Sequence, residues 1–261
     1  MIKVVYHIAD IHIRLFKRHL EYQTVLNELY EGIVEDMKKR GLGRDEVRVA
    51  IAGDIVHSKN QMTPELVSFV IKMLNDCTNI CKTVIILGNH DFLANNLDRM
   101  DALSPLIESL DNKDILFYKD TGCYEDNNIV WCVFSQITGS DRPKIDKKHI
   151  GLYHDPIVGL KTDVGYEFED GQEVSIFEGL DWTLCGDIHK REVLKIDKRP
   201  VIMVGSLIQQ NFGESINKHG FCIIDLENDE YKFQDIENKW GFYSFKIKSI
   251  EDIENEKEIL I

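Results

Sequence analysis

Short apolar runs recur at Val4–Ala9, Val47–Ala52, Val84–Leu87, Ile129–Phe134, Ile150–Tyr153, Trp182–Cys185 and Val201–Val204. Each has the length of a buried strand. Between the first two, Leu26, Leu29, Tyr30, Ile33, Val34 and Met37 fall at three- and four-residue spacings, which predicts a helix with one apolar face that stops at Gly41. Thr63-Pro64 predicts a second helix start, because threonine caps free amides and proline fits the first helical position. That helix runs through Leu66, Val67, Val70, Ile71 and Leu74. Alternating strands and helices predict a layered α/β fold.

After Gly205 the pattern changes. Phe221–Leu226, Tyr231–Ile236 and Phe242–Ile247 read as successive antiparallel strands, with a turn at Glu227-Asn228-Asp229. The charged stretch Ser249–Ile261 is expected to begin another element, and the polar, glycine-containing stretch Val158–Asp181 a long surface loop. This divides the chain into a principal domain over residues 1–220 and C-terminal strands over 221–261, which either complete the sheet or begin a truncated capping domain.

A chain of 261 residues, 43% hydrophobic and 29% charged, buries a sizeable core without disulfides. The six cysteines form no C-x-x-C pair; Cys77 and Cys81 are one helical turn apart, but no second pair completes a thiolate site. They read as small buried residues in a reducing compartment. No run of eighteen apolar residues predicts a membrane span, and the first residues lack a signal-peptide pattern, so the expected location is the cytoplasm. The net charge of −14 argues against broad nonspecific adsorption to nucleic acid, but not against a nucleic-acid substrate met through bound cations.

The informative polar residues sit at strand ends, where open α/β sheets gather ligands. Asp10 and His12 follow the first strand, and Gly53-Asp54 the second. Gly88-Asn89-His90-Asp91 follows the third, His154 follows Gly151-Leu152-Tyr153, and Gly186-Asp187-Ile188-His189 follows Trp182–Cys185. Each alone reads as a turn, a cap or a structural histidine. Together they place so many polar groups on one rim that a metal cluster is the economical explanation. Aspartate, histidine and asparagine without thiolate suit a hard or borderline divalent ion, and the ligand count suits two, with Asp54 able to bridge.

The series D-x-H, G-D, G-N-H-D, a lone H and G-x-x-H resembles the calcineurin-like metallophosphoesterases, over Val4 to about Glu214, some four-fifths of the chain. The resemblance implies a four-layer α/β/β/α sandwich with both metals at one edge. His57, three residues after Asp54, and Val204-Gly205-Ser206 followed by Asn211-Phe212-Gly213-Glu214 look like the SbcD-type DNA repair nucleases, nearest their phage recombination endonuclease subunits. Carried over, Asp10, His12 and His189 hold one metal; Asn89, His154 and Asp187 hold the second; Asp54 bridges. His90 is the general acid and His57 contacts the phosphate. Asp91 either orients His90 or caps its loop. Asp187 stands where most of the family has histidine.

The expected cofactors are two divalent ions, manganese first, with magnesium, iron or zinc as alternatives. The expected function is a DNA exonuclease and endonuclease in break repair and recombination. The expected partners are DNA, an SMC-like ATPase and a second copy of the chain through a helix carrying Leu103, Leu106, Ile107 and Leu110, which could equally pack on its own sheet. A phage origin would place it in the host cytoplasm. The chain ends at Ile261, earlier than ATPase-docking helices would be expected. Two alternatives remain open: a phosphoesterase of the same fold acting on nucleotides or phosphoproteins, and a DNA-end-binding scaffold with weak catalysis.

Overall fold

The computed structural model describes residues 1–15, 17–93, 96, 98–135, 147–244, 247 and 249. Two six-stranded mixed sheets pack face to face. In the first, β1 (Val4–Ile8), β2 (Val47–Ala52), β3 (Thr83–Ile86) and β4 (Ile115–Phe117) run parallel, β11 (Gly220–Asp225) pairs antiparallel with β1, and β12 (Glu230–Asp235) antiparallel with β11, in the order β12-β11-β1-β2-β3-β4. In the second, β6 (Ile129–Phe134), β7 (Lys148–His154), β8 (Trp182–Gly186) and β10 (Arg199–Met203) run parallel between two antiparallel edges, β5 (Gly122–Asp126) and β9 (Glu192–Ile196).

Alternation along the strands sorts the apolar residues into separate cores. Val4, Tyr6 and Ile8 of β1 face the helices, with Val47, Val49 and Ile51 of β2. Val5 and Ala9 face the other way, meeting Trp131, Leu152 and Leu184 of the second sheet. The runs read as continuous because both faces are covered. Helix α1 (His19–Arg40) lays Val25, Leu26, Leu29 and Ile33 on the first sheet and ends in a left-handed Gly41, with the Leu42 amide donating to the Met37 carbonyl at 2.9 Å. Helix α2 (Pro64–Ile80) starts as expected, the Leu66 amide donating to Thr63 Oγ1 at 3.4 Å. In the short α3 (Ser104–Leu110), Leu106 is buried in the chain's own core beside the preceding Leu103, with Ile107 and Leu110 packed against it.

The second sheet's outer face is covered, among the described residues, by the expected long loop. Its one short 3-10 turn, Val174–Phe177, sinks Phe177 against Tyr153 and Phe134. Five cysteines are buried, Cys123 is half-buried, and all six are free thiols.

The strand expected over Phe242–Ile247 is not formed in its described part. Residues 241–244 are irregular: the Phe242 amide donates to Gln209 Oε1 at 2.7 Å, and its ring lies under Arg18 and edge-on to Phe212. Among the described residues β12 is therefore the edge of its sheet. The element expected over Ser249–Ile261 lies, apart from Ser249, outside the described residues.

Candidate metal centre

The loops leaving β1, β2, β3, β7 and β8 meet at one rim. Four residues there, Asp10, His12, Asp54 and Asp187, have φ between +52° and +74°. That conformation costs a non-glycine residue roughly 1–2 kcal/mol and persists only where surrounding bonds enforce it. They do so here. The Asp10 amide donates to the Gly53 carbonyl at 3.2 Å, the His12 amide to the Asp54 carbonyl at 2.9 Å, and Tyr22 Oη of α1 to the His12 carbonyl at 2.6 Å.

Asp91 holds the next two loops. Its buried carboxylate accepts from the amides of Asp54 (2.9 Å), Gly88 (3.0 Å) and Val56 (3.0 Å). These bonds come from backbone amides, and among the described residues none joins Asp91 to the His90 ring. The motif glycines are there for close approach: a Cβ on Gly88 would overlap the Asp54 carboxylate, and one on Gly186 the Ala52 carbonyl and the His154 ring.

All seven expected ligands converge. His12 Nε2 and His189 Nε2 face each other at 2.9 Å, with Asp10 Oδ1 3.9 Å from His189 Nε2. Asp54 Oδ2 lies 3.4 Å from His12 Nε2 and 3.3 Å from His154 Nε2, so one carboxylate oxygen stands between two histidines. Asn89 Nδ2 donates to Asp187 Oδ1 at 2.9 Å, and the Asp187 amide to Asp10 Oδ1 at 2.9 Å. Three groups have their donor atoms close enough to share an ion: Asp10 with His12 and His189, Asp10 with Asp54 and His154, and His12 with His57 and His90.

A divalent cation fits this set. Asp10 Oδ2 and Asn89 Oδ1 are buried without a hydrogen-bond partner among the described residues. Two imidazole nitrogens at 2.9 Å match neighbouring ligands each about 2.1 Å from one ion. The outer ring nitrogens are anchored as ligand histidines require. His154 Nδ1 donates to the Ala52 carbonyl at 2.6 Å, and His189 Nδ1 to Glu214 Oε1 at 2.7 Å, leaving each Nε2 for the site. Glu214 is itself held by the Gln210 amide (2.8 Å), Ser206 Oγ (3.1 Å) and Asn211 Nδ2 (2.8 Å).

Without metal, protons balance the carboxylates. Burial pushes Asp10 up to about 6, and Asp54 and Asp187 add to it against His154 and His189. Burial also raises Asp187. It would raise Asp54 too, but His154, His12 and His90 outweigh it and hold that carboxyl below its ordinary range. Burial would lower His154 and His189; the surrounding carboxylates reverse this, lifting His154 well above its ordinary value and His189, through Glu214 and Asp10, to about 9. Burial keeps His12 neutral.

His57 and His90 stand over the rim as a stacked pair, ring centroids 5.5 Å apart, and His90 lies edge-on to His12 at 4.7 Å. His90 is exposed; its Nδ1 donates to the His57 carbonyl at 2.6 Å, and its amide to Asp54 Oδ1 at 2.8 Å. Arg14 donates to His57 Nε2 at 3.0 Å. Burial, Arg14 and His90 together push His57 down to about 4.

Sequence reasoning gave no role to Glu214 or Arg14. Glu214 lay within the singled-out Gly205–Glu214 stretch, but its bond to His189 spans 25 positions and only the fold reveals it. Arg14 carried one usable signal, a cation two residues after a ligand histidine.

A family model described as calcineurin-like phosphoesterase matches residues 3–191. An uncharacterized protein of Acanthamoeba polyphaga mimivirus is 34% identical over 261 residues, covering 94% of this chain and 19% of the viral protein. The chain thus spans about a fifth of that relative's length. Among solved structures, a novel archaeal phosphodiesterase is similar at TM-score 0.48 and 16% identity, over 89% of this chain and 99% of that one. The phosphopantetheinyl hydrolase of Mycobacterium tuberculosis is similar at TM-score 0.47 and 12% identity, over 77% and 88%. Neither structural likeness bears on the substrate.

Proposed function

The chain belongs to the calcineurin-like phosphoesterase family, which implies a metal-dependent hydrolase, and from that premise we propose that it is a two-metal DNA nuclease, acting as exonuclease and endonuclease in break repair and recombination. The observation that carries the reading is the convergence of Asp10, His12, Asp54, Asn89, His154, Asp187 and His189 on one rim beneath the His57–His90 pair. Asp10, His12 and His189 would hold one ion, Asn89, His154 and Asp187 the other, and Asp54 both. Manganese is the proposed metal. When bound, the ions supply charge neutralisation at the phosphate and a water of lowered pKa.

The chain's own side chains do the rest. Arg14 donates to His57 Nε2, which fixes the neutral His57 with its proton on Nδ1 and makes it a hydrogen-bond donor for a phosphate oxygen. His90, anchored through Nδ1, has Nε2 free to hand a proton to the departing sugar oxygen. Asp91 and Glu214 move no proton; they hold the loop and the imidazole that position the ligands.

The preference for DNA is supported by His57 and by the Gly205–Glu214 segment, whose last residue orients His189. An SMC-like ATPase partner and a homodimer belong to the same proposal and are carried by the resemblance alone. The deciding experiment compares DNA, p-nitrophenyl phosphodiesters, nucleotides and a phosphopeptide as substrates, with manganese and with chelator. Metal-dependent cleavage of DNA supports the reading. Hydrolysis confined to nucleotides or phosphopeptide moves the activity elsewhere in the family, and DNA binding without hydrolysis leaves a scaffold.

A further inference from the structure

The loops after β1 and β2 enclose a cavity of about 380 Å³ beside the metal centre. His57 is the wall they share: its ring centroid is 5.6 Å from that of His12, and it lines the cavity. Arg14, Lys17, Ser58, Gln61 and Leu66 form much of the remaining lining.

The charges here are unbalanced. Arg14 is half-buried; its guanidinium meets His57 Nε2 at 3.0 Å, and the Gln210 carbonyl at 3.3 Å, both neutral acceptors. The nearby Arg18 is neutralised by Glu21 at 2.6 Å, but among the described residues neither Arg14 nor Lys17 has a carboxylate within ion-pair distance. The chain carries 45 acidic residues against 31 basic ones, so acidic partners are not scarce. A guanidinium withdrawn from water without a counter-charge is unfavourable unless the missing anion arrives with the substrate. The backbone that carries Arg14 is held in place: His19 Nε2 bonds the Arg14 carbonyl at 2.6 Å, and Tyr22 the His12 carbonyl at 2.6 Å.

Resting on the nuclease reading, we propose that this cavity is a nucleotide subsite: Arg14 and Lys17 bind the phosphate adjacent to the scissile one, and the attached nucleoside lies against Leu15, Ser58 and Gln61. Arg14 then recognises a polynucleotide rather than an isolated diester. Through His57, Arg14 also serves the scissile phosphate, a part both substrates need equally, so the subsite shows only in the ratio between them.

The test uses the full chain with manganese and two substrates, a short single-stranded oligonucleotide and bis(p-nitrophenyl) phosphate. In Arg14→Gln the ratio of kcat/KM for the oligonucleotide to that for the small diester is expected to fall about 10-fold, mostly through KM, the loss of one charge-assisted contact. Lys17→Gln, at an exposed position, should lower it less, about 3-fold. Fluorescence anisotropy of the same oligonucleotide in chelator should show weaker binding by Arg14→Gln, with a salt dependence shallower by about 0.7 in log–log slope. Equal losses on both substrates, or an unchanged ratio, would overturn the subsite. If the native chain hydrolyses the small diester but never the oligonucleotide, the nuclease reading fails instead; the subsite then rests on anisotropy, and binding indifferent to Arg14 overturns it.

Discussion

His12 Nε2 and His189 Nε2 face each other at 2.9 Å, although 177 positions separate them in the chain. Their charge states differ. Burial keeps His12 neutral, whereas Glu214 and Asp10 outweigh burial and hold His189 at about 9, above the ordinary 6.5. At neutral pH His189 is therefore the donor and His12 the acceptor, and a proton occupies the place a cation would take. Metal binding must displace it, along with the proton on His154. Calorimetric titration with manganese near pH 7, in buffers of different ionisation enthalpy, should show release of about one to two protons, falling as pH rises past about 9. Release that is absent, or that grows with pH, would mean that these histidines do not give up their protons to the ion.

Glu214 should govern metal affinity without touching the metal. Its carboxylate fixes the His189 ring, and it is held by three donors of its own. Glu214→Gln keeps the size but loses the charge, and should weaken metal binding about 10- to 100-fold with the fold unchanged. Rescue of hydrolysis at high metal concentration is the distinguishing sign, since a collapsed site would not recover.

Much of this is legible in the sequence. The central strands on both sides of the inter-sheet core are mostly apolar runs, broken by His7, Arg48 and Thr183, and each ligand lies at or just past the end of one. Edge strands were harder to read: Gly122–Asp126 and Glu192–Ile196 are half-exposed and each carries two charged residues without strict alternation, and Ile115–Phe117 is three residues long. Phe242–Ile247 looked like another strand by hydropathy, but the Gln209 side chain claims its first amide. In the centre, residue types and spacing were readable, whereas Asp91's grip on distant amides and the Glu214–His189 bond depend on approach between loops far apart in sequence.

His90 offers a cleaner separation of binding from chemistry. It is exposed, and it meets the ligand set through its backbone amide, which donates to Asp54 Oδ1 at 2.8 Å. Removing the ring leaves that bond in place. His90→Ala should keep metal affinity within about 3-fold while kcat on an unactivated phosphodiester falls at least about 100-fold. The loss should shrink on a p-nitrophenyl ester, whose leaving group needs no proton. A uniform loss on both substrates would remove His90 from the role of acid.

Asp187 is the position where this chain departs from the pattern it otherwise matches. It sits at φ +74°, a conformation histidine tolerates better than most side chains, and its neighbour Asn89 can donate to an imidazole nitrogen as it does to the carboxylate. Asp187→His should therefore fold and remain active with manganese. It should also bind the metal more weakly, because one negative charge has left the cluster. Complete loss of metal binding would show that the carboxylate is needed as a charge and not only as a ligand.

Far from the centre, Arg48 and Asp126 join β2 of the first sheet to β5 of the second through paired bonds of 2.7 and 2.8 Å, with both side chains at most 10% exposed. Burial alone would raise the Asp126 carboxyl, but its bonds and attraction to Arg48 outweigh that and hold it below the ordinary 3.8. A carboxylate whose folded pKa is depressed contributes stability above its unfolded pKa and loses it as pH falls through the folded value. Asp126→Asn would leave Arg48 buried without its counter-charge, and should cost about 3 kcal/mol at neutral pH. In urea unfolding, the gap between the native chain and Asp126→Asn should hold steady from about pH 7 to pH 5 and narrow below about pH 4 as the native carboxylate takes up its proton. A gap that stays constant into acid would assign the loss to packing, and the charge pair would then not be what ties the two sheets together at this corner.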